Sequence, residues 1–370
     1  MLKVLRIFIV LFFSVILLGL LFSPFVSLFL PEKLTNRTYF RLLYHVIADR
    51  ETIGCISDED KVSRIFDYVL SHTFLQGTPY ECKPAESLMS AEAYCDYQAR
   101  ILNALLGALN INSRYVVLFD KSGISPHTTC EVFLGEKWRV YDASLNIIFQ
   151  DNLGNKLALE ELSANPGLIF QQRKMIALKD YDPQDYAIKS AWFNSMFPFP
   201  LPPERSTPVI LQAHILDRIA DGYYKIFKTS FFDFYQDSYL HLKKQNAAAD
   251  LRLFFMARNY HLAYRYAKAL KCYDEFLLRY PVSEYTQDVL FFRAMLYFDI
   301  KNFNEAEKSF ELIINKYPLK WRSASYYYLG RIYGAVGNDA MSLASYNNVD
   351  TLKLSFEVLE NLNKNGLRRQ

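Results

Sequence analysis

The chain has 370 residues, enough for two or three domains, and its 42 Lys and Arg against 39 Asp and Glu leave a net charge of only +3. Because no basic stripe stands out, nucleic-acid binding is not expected. Its five cysteines are odd in number and widely spaced, which is not the pattern of a disulfide framework or a zinc site, although Cys55 and Cys82 could pair in an oxidising compartment. We find no phosphate loop, calcium loop or metal-ligand spacing, and therefore predict no cofactor and no metal.

The amino terminus carries an uncharged apolar run of 24 residues, IFIVLFFSVILLGLLFSPFVSLFL (7–30). A membrane-spanning helix needs about 20 such residues, so we predict an uncleaved signal anchor. A cleaved signal peptide is the alternative, but its apolar core would be shorter and would end at a small-x-small site. Basic residues flank both ends of the run, so the positive-inside rule gives little help. We expect a single-pass membrane protein of a bacterial envelope, with the bulk of the chain on the extracytoplasmic side.

An amphipathic helix is predicted next, over DEDKVSRIFDYVLS (58–71), with Asp58 as its cap. Residues 73–90 contain glycine and prolines and are predicted to form a loop. Loops that precede a nucleophile often supply a donor to an oxyanion hole, and Gln76 is the candidate for that role here. An ordinary loop glutamine is the alternative for this residue.

A second helix is predicted over AEAYCDYQARILNALLGALNI (91–111), in which apolar residues recur at helical spacing. Cys95 is the first member of that apolar stripe. A thiol in the first turn of a helix feels the positive end of the helix dipole, which favours the thiolate.

Two strand-like runs follow in HTTCEVFLGEKWRVYDAS (127–144), joined at Leu134-Gly135-Glu136-Lys137. A glycine at the first central position of a two-residue loop predicts a type II′ turn. Side chains alternate between faces along a strand, so the register of this hairpin decides which of them can meet.

With Leu134 and Lys137 flanking the turn, Thr129 pairs with Asp142 and His127 faces Ser144. His127 and Asp142 then share one face as diagonal neighbours, within reach of a carboxylate–imidazole hydrogen bond. A cysteine on a helix, with a histidine and an aspartate on a hairpin, is the arrangement that performs acyl transfer through a thioester.

These residues resemble the core of the transglutaminase-like superfamily, a branch of the papain-like cysteine hydrolases. The resemblance covers residues 85–145 and rests on Cys95 with its helix, His127 with Glu131-Val132, and the run WRVYD (138–142). It implies that Cys95 is the nucleophile, His127 the general base and Asp142 the residue that orients the histidine.

The carboxy-terminal part repeats itself from about residue 250. Small, aromatic and proline residues recur at fixed offsets of 37 and then 36 residues, at Ala257, Tyr260, Ala269, Tyr273 and Pro281, then Ala294, Tyr297, Ala306, Phe310 and Pro318, then Gly330, Tyr333 and Tyr346, with Ser342 in place of alanine. The pattern resembles tetratricopeptide repeats, whose unit of about 34 residues is lengthened here. Such units stack into a solenoid that presents a concave surface, which implies a groove for a protein partner.

We therefore predict an α+β transglutaminase-like (papain-like) domain followed by an all-α tetratricopeptide-like solenoid, with an N-terminal transmembrane helix. The predicted parts are the anchor 7–30, the transglutaminase-like domain 40–165, a linker 166–208 that ends in a proline-rich boundary, a helical capping region 209–249, the repeats 250–350 and a tail 351–370.

The expected function is that of a membrane-anchored cysteine enzyme that acts on an amide or peptide bond of a protein substrate. Hydrolysis is favoured over cross-linking because water is always available. The alternative is a catalytically inactive scaffold or assembly factor that works through its repeats, and a weaker one is a subunit whose repeats deliver the substrate.

Overall fold

The computed structural model describes residues 31–74, 84–120, 127–165, 186–188, 207–243, 247–317 and 320–349, with 12, 14, 28, 29 and 168 as single positions. Several predicted features lie wholly or almost wholly outside them: the membrane segment 7–30, the loop residue Gln76, the linker with its proline-rich boundary, and the tail 351–370. Among the described residues, no helix combines the length and the hydropathy that a membrane crossing requires.

The secondary structure runs in chain order as follows: α1 (Glu32–Glu51), α2 (Asp58–His72), α3 (Pro84–Ser90), α4 (Cys95–Ala108), β1 (Ser113–Asp120), β2 (His127–Leu134), β3 (Lys137–Asp142), β4 (Ile147–Ile148), α5 (Leu159–Ala164), β5 (Tyr186–Ile188), α6 (Thr207–Lys243), α7 (Ala249–Leu262), α8 (Tyr266–Arg279), α9 (Thr286–Asp299), α10 (Phe303–Lys316), α11 (Arg322–Ala335) and α12 (Asp339–Tyr346).

Contacts divide the chain into two compact units, one of Met1–Ile47 with Leu201–Ala247 and the other of Ala48–Pro200 with Ala248–Gln370. The first unit is helical and is built on α1. Arg41 pairs with Asp221 of α6 at 2.8 Å, and the rings of Tyr39 and Tyr239 stack with centroids 3.9 Å apart. The predicted role of this aromatic helix as a cap of the repeats stays a prediction.

The second unit contains a five-stranded antiparallel sheet in the order β4-β3-β2-β1-β5. Its apolar core includes Val116, Val140, Phe149 and Leu162. Cys130 pairs with Tyr141 and Leu134 with Lys137, so the predicted hairpin register is confirmed. The sheet and its helices fit the α+β domain predicted from the sequence.

The turn of this hairpin differs from the predicted type. Both central residues have positive φ, 55° at Gly135 and 66° at Glu136, which is the geometry of a type I′ turn and not of type II′. Type I′ matches the right-handed twist of the flanking strands. The glycine at the first position therefore does not decide the turn, and Glu136 adopts a left-handed conformation that glycine usually takes.

The N-cap of α2 lies one residue earlier than predicted. Ser57, not Asp58, is the N-cap: its hydroxyl accepts from the Asp60 amide at 3.0 Å, and the Asp60 carboxylate accepts from the Ser57 amide at 3.2 Å. This reciprocal capping box satisfies two amide donors that a cap at Asp58 would leave open.

The carboxy-terminal region is helical, with α7 packed on α8, α9 on α10 and α11 on α12. Each pair reverses direction at a residue with positive φ: Tyr264 (59°), Lys301 (61°) and Gly337 (77°). These positions follow the offsets of 37 and 36 residues found in the sequence. The helix pairs therefore repeat in conformation as well as in composition, while their assignment to the tetratricopeptide family stays a prediction.

Candidate active site

Cys95 is the first residue of α4, and this helix packs against β1 and β2 of the sheet. Cys95 is partly exposed, whereas Ala99 and Leu102 further along the helix are buried. Tyr94 has extended backbone at the N-cap and provides no side-chain cap. The thiol therefore lies where the amide groups of the first turn point outward, at the positive end of the helix dipole.

His127 begins β2 and Asp142 ends β3, on the same face of the hairpin. The Nε2 atom of His127 lies 2.5 Å from Oδ2 of Asp142, and both residues are buried, with 8% and 1% of their surface exposed. The Cys95 sulfur lies within hydrogen-bonding reach of the same imidazole. Because Nε2 forms the hydrogen bond with the Asp142 carboxylate, Nδ1 is the nitrogen that can form the hydrogen bond with the Cys95 thiol.

The surroundings of His127 favour its protonated form. Burial by itself lowers the pKa of this imidazole, but the charge and hydrogen bond of Asp142, together with Cys95, raise it to about 10. The side chain is therefore an imidazolium at neutral pH. An imidazolium beside a thiol favours the thiolate, which is the nucleophilic form of cysteine.

Asp142 is held by two groups that the sequence reasoning did not assign to the site. Its Oδ1 accepts from the Ser144 hydroxyl at 2.9 Å and from the Leu145 amide at 3.1 Å. With His127 on Oδ2, the carboxylate is fixed in one orientation. An aspartate followed two residues later by serine at a strand end is a turn pattern that could have indicated this role.

The segment just before Cys95 is held from two sides. The amides of Phe74 and Ala93 form backbone hydrogen bonds with Ala91 and Phe74, at 2.7 Å and 3.0 Å. From the helical region, Lys320 lies 3.3 Å from the carboxylate of Glu92. The sequence showed no sign of this contact, because the two residues are more than 200 positions apart.

Two other cysteines differ from Cys95 in their surroundings. Cys130 is fully buried on the opposite face of β2 from His127, and burial raises the pKa of its thiol. Cys55 is a partly exposed free thiol. Gln76 lies outside the described residues, so its place relative to Cys95 is not defined. Within the described residues, no group of three or more His, Cys, Asp and Glu side chains is arranged to hold a metal ion.

Comparison with known families agrees with this part of the fold. Residues 47–143 match the sequence profile of the transglutaminase-like superfamily. The matched stretch is about a quarter of the chain and contains Cys95, His127 and Asp142. It supports a transglutaminase-like domain in this part of the protein. Comparison with curated proteins finds no match to the chain.

Proposed function

We propose that this protein is a membrane-anchored, transglutaminase-like cysteine enzyme that acts on an amide or peptide bond through Cys95, His127 and Asp142. The observation that carries the proposal is the chain of contacts from the Asp142 carboxylate, through the His127 imidazole at 2.5 Å, to the thiol at the start of α4. A thiol beside an imidazole that a carboxylate orients is the donor set of nucleophilic acyl transfer.

In the proposed reaction, the Cys95 thiolate attacks the carbonyl carbon of the substrate and forms a tetrahedral oxyanion. The His127 imidazolium gives its proton to the leaving amine as the carbon–nitrogen bond breaks, which leaves a thioester on Cys95. Water then attacks the thioester while His127 takes its proton, and the acid and the thiol are released. A primary amine in place of water would give a cross-link, but hydrolysis is favoured because water is always available.

Asp142 takes no proton in this scheme. It holds Nε2 so that Nδ1 faces the thiol, and its charge stabilises the imidazolium. Ser144 and the Leu145 amide keep the carboxylate in place.

We also propose that residues 7–30 anchor the protein in the membrane and that the helical region from residue 250 binds a protein partner, as the repeated pattern of small and aromatic residues implies.

The first test follows the alkylation of each cysteine by iodoacetamide as a function of pH, read by mass spectrometry on the intact protein. Cys55 is a matched internal reference, because it is also a partly exposed free thiol. We expect Cys95 to react faster than Cys55 below pH ~8.5, where an ordinary thiol is largely protonated. The substitution His127→Ala should abolish that advantage and leave Cys55 unchanged.

A Cys95 that reacts like Cys55, with or without His127, would contradict the enzyme proposal and favour the inactive scaffold.

A second measurement distinguishes hydrolysis from cross-linking. A casein digest is incubated with the protein, with and without a fluorescent primary amine. Hydrolysis releases ammonia or new amino termini, cross-linking incorporates the amine, and Cys95→Ala should remove either signal while Cys55→Ala keeps it.

A further inference from the structure

The backbone that leads into α4 is strained at Ala91, four residues before the nucleophile. Ala91 has a φ of 57°, in the left-handed region that residues other than glycine avoid, and it is fully buried. Backbone strain of this kind persists only where the surrounding structure holds it, and it is concentrated at functional sites. The contacts that hold this turn therefore affect where α4 begins and where the thiol of Cys95 lies.

Backbone hydrogen bonds hold the strained turn from one side. The Phe74 amide donates to the Ala91 carbonyl at 2.7 Å, and the Ala93 amide donates to the Phe74 carbonyl at 3.0 Å. These two bonds pair Phe74 with Glu92 as a short parallel bridge. We call this pair of residues the entry bridge, because the chain passes through it on the way to α4.

The helical region holds the entry bridge from the other side, through the residues just before α11. The Lys320 ammonium lies 3.3 Å from Oε1 of Glu92 and 2.8 Å from Oδ1 of Asp288, a residue of α9. The indole N–H of Trp321 donates to the same Asp288 oxygen at 2.7 Å. Lys320 therefore joins a carboxylate of the entry bridge to a carboxylate that is itself fixed within the helical region.

The charges at this contact make Lys320 difficult to replace. Glu92 and Asp288 are both buried, each with 8% of its surface exposed, and one ammonium group serves both carboxylates. A buried carboxylate without a positive partner is strongly unfavourable. Without the Lys320 charge, the two carboxylates would repel each other, and Glu92 would turn away from Asp288 toward water.

The other residue of the entry bridge also packs on the helical region. The Phe74 ring meets the rings of Phe291 and Trp321 edge to face, with centroids 5.8 Å and 6.1 Å apart, and those two rings stack on each other at 4.1 Å. Apolar packing is not directional, whereas a charge-assisted hydrogen bond is. The ion pair with Lys320 is therefore the contact that sets the orientation of Glu92.

We propose that Lys320 is a positioning residue for Cys95. It acts through Glu92 and keeps the strained turn at Ala91 and the start of α4 in the place where the thiol meets the His127 imidazole. This inference rests on the cysteine chemistry proposed above. It adds that the helical region takes part in that chemistry, from a residue more than 200 positions along the chain from the nucleophile.

The test compares the pH dependence of Cys95 alkylation in the full-length parent, Lys320→Met and Lys320→Arg, with Cys55 as the internal reference. We expect Lys320→Met to slow Cys95 roughly fivefold at pH ~6, as the loss of one hydrogen bond implies. At pH ~10 an ordinary thiol is ionised as well, so the rates should converge. Lys320→Arg keeps the charge and its donors and should follow the parent profile. Loss of stability alone would not produce this dependence on pH.

A double-mutant cycle tests whether Lys320 acts through Glu92. Glu92→Gln should slow Cys95 in the same way, and Glu92→Gln/Lys320→Met should be no slower than Lys320→Met, because both substitutions break the same contact. Lys308→Met is the matched control, since Lys308 is 71% exposed and pairs with Glu305 of its own helix. It should leave the alkylation of Cys95 unchanged.

Thermal unfolding verifies that each variant is folded, and Lys320→Gln replaces Lys320→Met if the latter is not. The positioning role is overturned if Cys95 is more reactive than Cys55 in the parent and equally so in Lys320→Met, if Lys320→Arg loses as much as Lys320→Met, or if the effects in the cycle add. In those outcomes the enzyme proposal is unaffected. A parent protein in which Cys95 reacts like Cys55 overturns the enzyme proposal and the positioning role together.

Discussion

Asp142 accepts three hydrogen bonds at the end of β3, from His127, Ser144 and the Leu145 amide. A buried carboxylate with its acceptor sites occupied cannot rotate without losing at least one of these bonds, each worth about 1 kcal/mol or more. The orientation of the imidazole is therefore determined by residues of the turn that follows the strand, and not by the strand alone.

The substitution Asp142→Asn should lower the pKa of His127. Burial, which lowers this pKa, would then be opposed by Cys95 alone, since the carboxylate charge is gone. We expect an NMR titration to show an imidazole that deprotonates well below the value of about 10 in the parent protein. Asp151→Asn, at a partly exposed loop residue, is the control and should leave the titration of His127 unchanged.

The raised pKa of His127 makes the free energy of unfolding depend on pH. The folded-state pKa of His127 lies above the unfolded value of ~6.5, so its stabilising contribution is complete below that pH and disappears as the pH rises through about 10. Urea unfolding across this range should show a fall in the free energy of unfolding that Asp142→Asn reduces. An equal fall in both proteins would show that the His127–Asp142 pair is not its source.

At the scale of elements, the β2–β3 turn places Glu136 at a φ of 66°, which costs a residue other than glycine roughly 1 kcal/mol. Glu136→Gly should therefore stabilise the protein by up to about that amount, measured as a higher urea midpoint with an unchanged slope. Lys137→Gly is the control. It puts glycine into a strand and should destabilise, by roughly 0.5–1 kcal/mol.

The close packing of α11 on α12 depends on the absence of a side chain at Gly330. A Cβ atom at Gly330 would lie 2.5 Å from the Tyr346 ring, which is buried between α11 and α12. Gly330→Ala should destabilise the protein by about 1–3 kcal/mol through overpacking, despite the better helix propensity of alanine. Gly334→Ala on the same helix meets only Ser342 Oγ at 3.4 Å and should be neutral or stabilising. Thermal unfolding distinguishes the two, and equal effects would contradict this account.

At the scale of the whole molecule, Arg258 of α7 joins the helical region to the transglutaminase-like domain. It is fully buried and donates to the carbonyls of Leu88 and Met89, at 2.8 Å and 2.9 Å, while its guanidinium lies over the Phe292 ring. These carbonyls belong to α3, the helix that leads to Cys95. The helical region therefore supports the segment before the nucleophile, and the two parts belong to one compact unit.

Arg258→Met should cost about 3 kcal/mol, because it leaves two buried carbonyls without donors. It should also slow alkylation of Cys95 by disturbing α3. Arg279→Met is the matched control, since Arg279 is 62% exposed and its ion pair with Glu275 should be worth less than about 1 kcal/mol. Denaturant unfolding measures the free energy of unfolding of both variants. If Arg258→Met lowers it no more than Arg279→Met does, Arg258 does not support α3.

The sequence by itself determined the features that depend on near neighbours. Helical periodicity located α2 and α4, strand alternation and the two-residue loop determined the register of β2 with β3, and that register puts His127 and Asp142 on one face. Small-residue spacing located the three helix pairs. The roles of Cys95, His127 and Asp142 in catalysis stay a prediction that these placements support.

Only the tertiary structure decided the contacts between distant residues. The Lys320–Glu92 pair and the Arg258 bonds to α3 join positions more than 150 residues apart, and no local pattern specifies which distant group will meet a given side chain. The predicted type II′ turn and the predicted Asp58 cap depend on local sequence, yet both predictions are wrong. The twist of the strands and a second capping bond outweigh single-residue preferences. The periodicity of a sequence shows which face of an element is buried. Only the packing of the folded chain determines which other element covers that face.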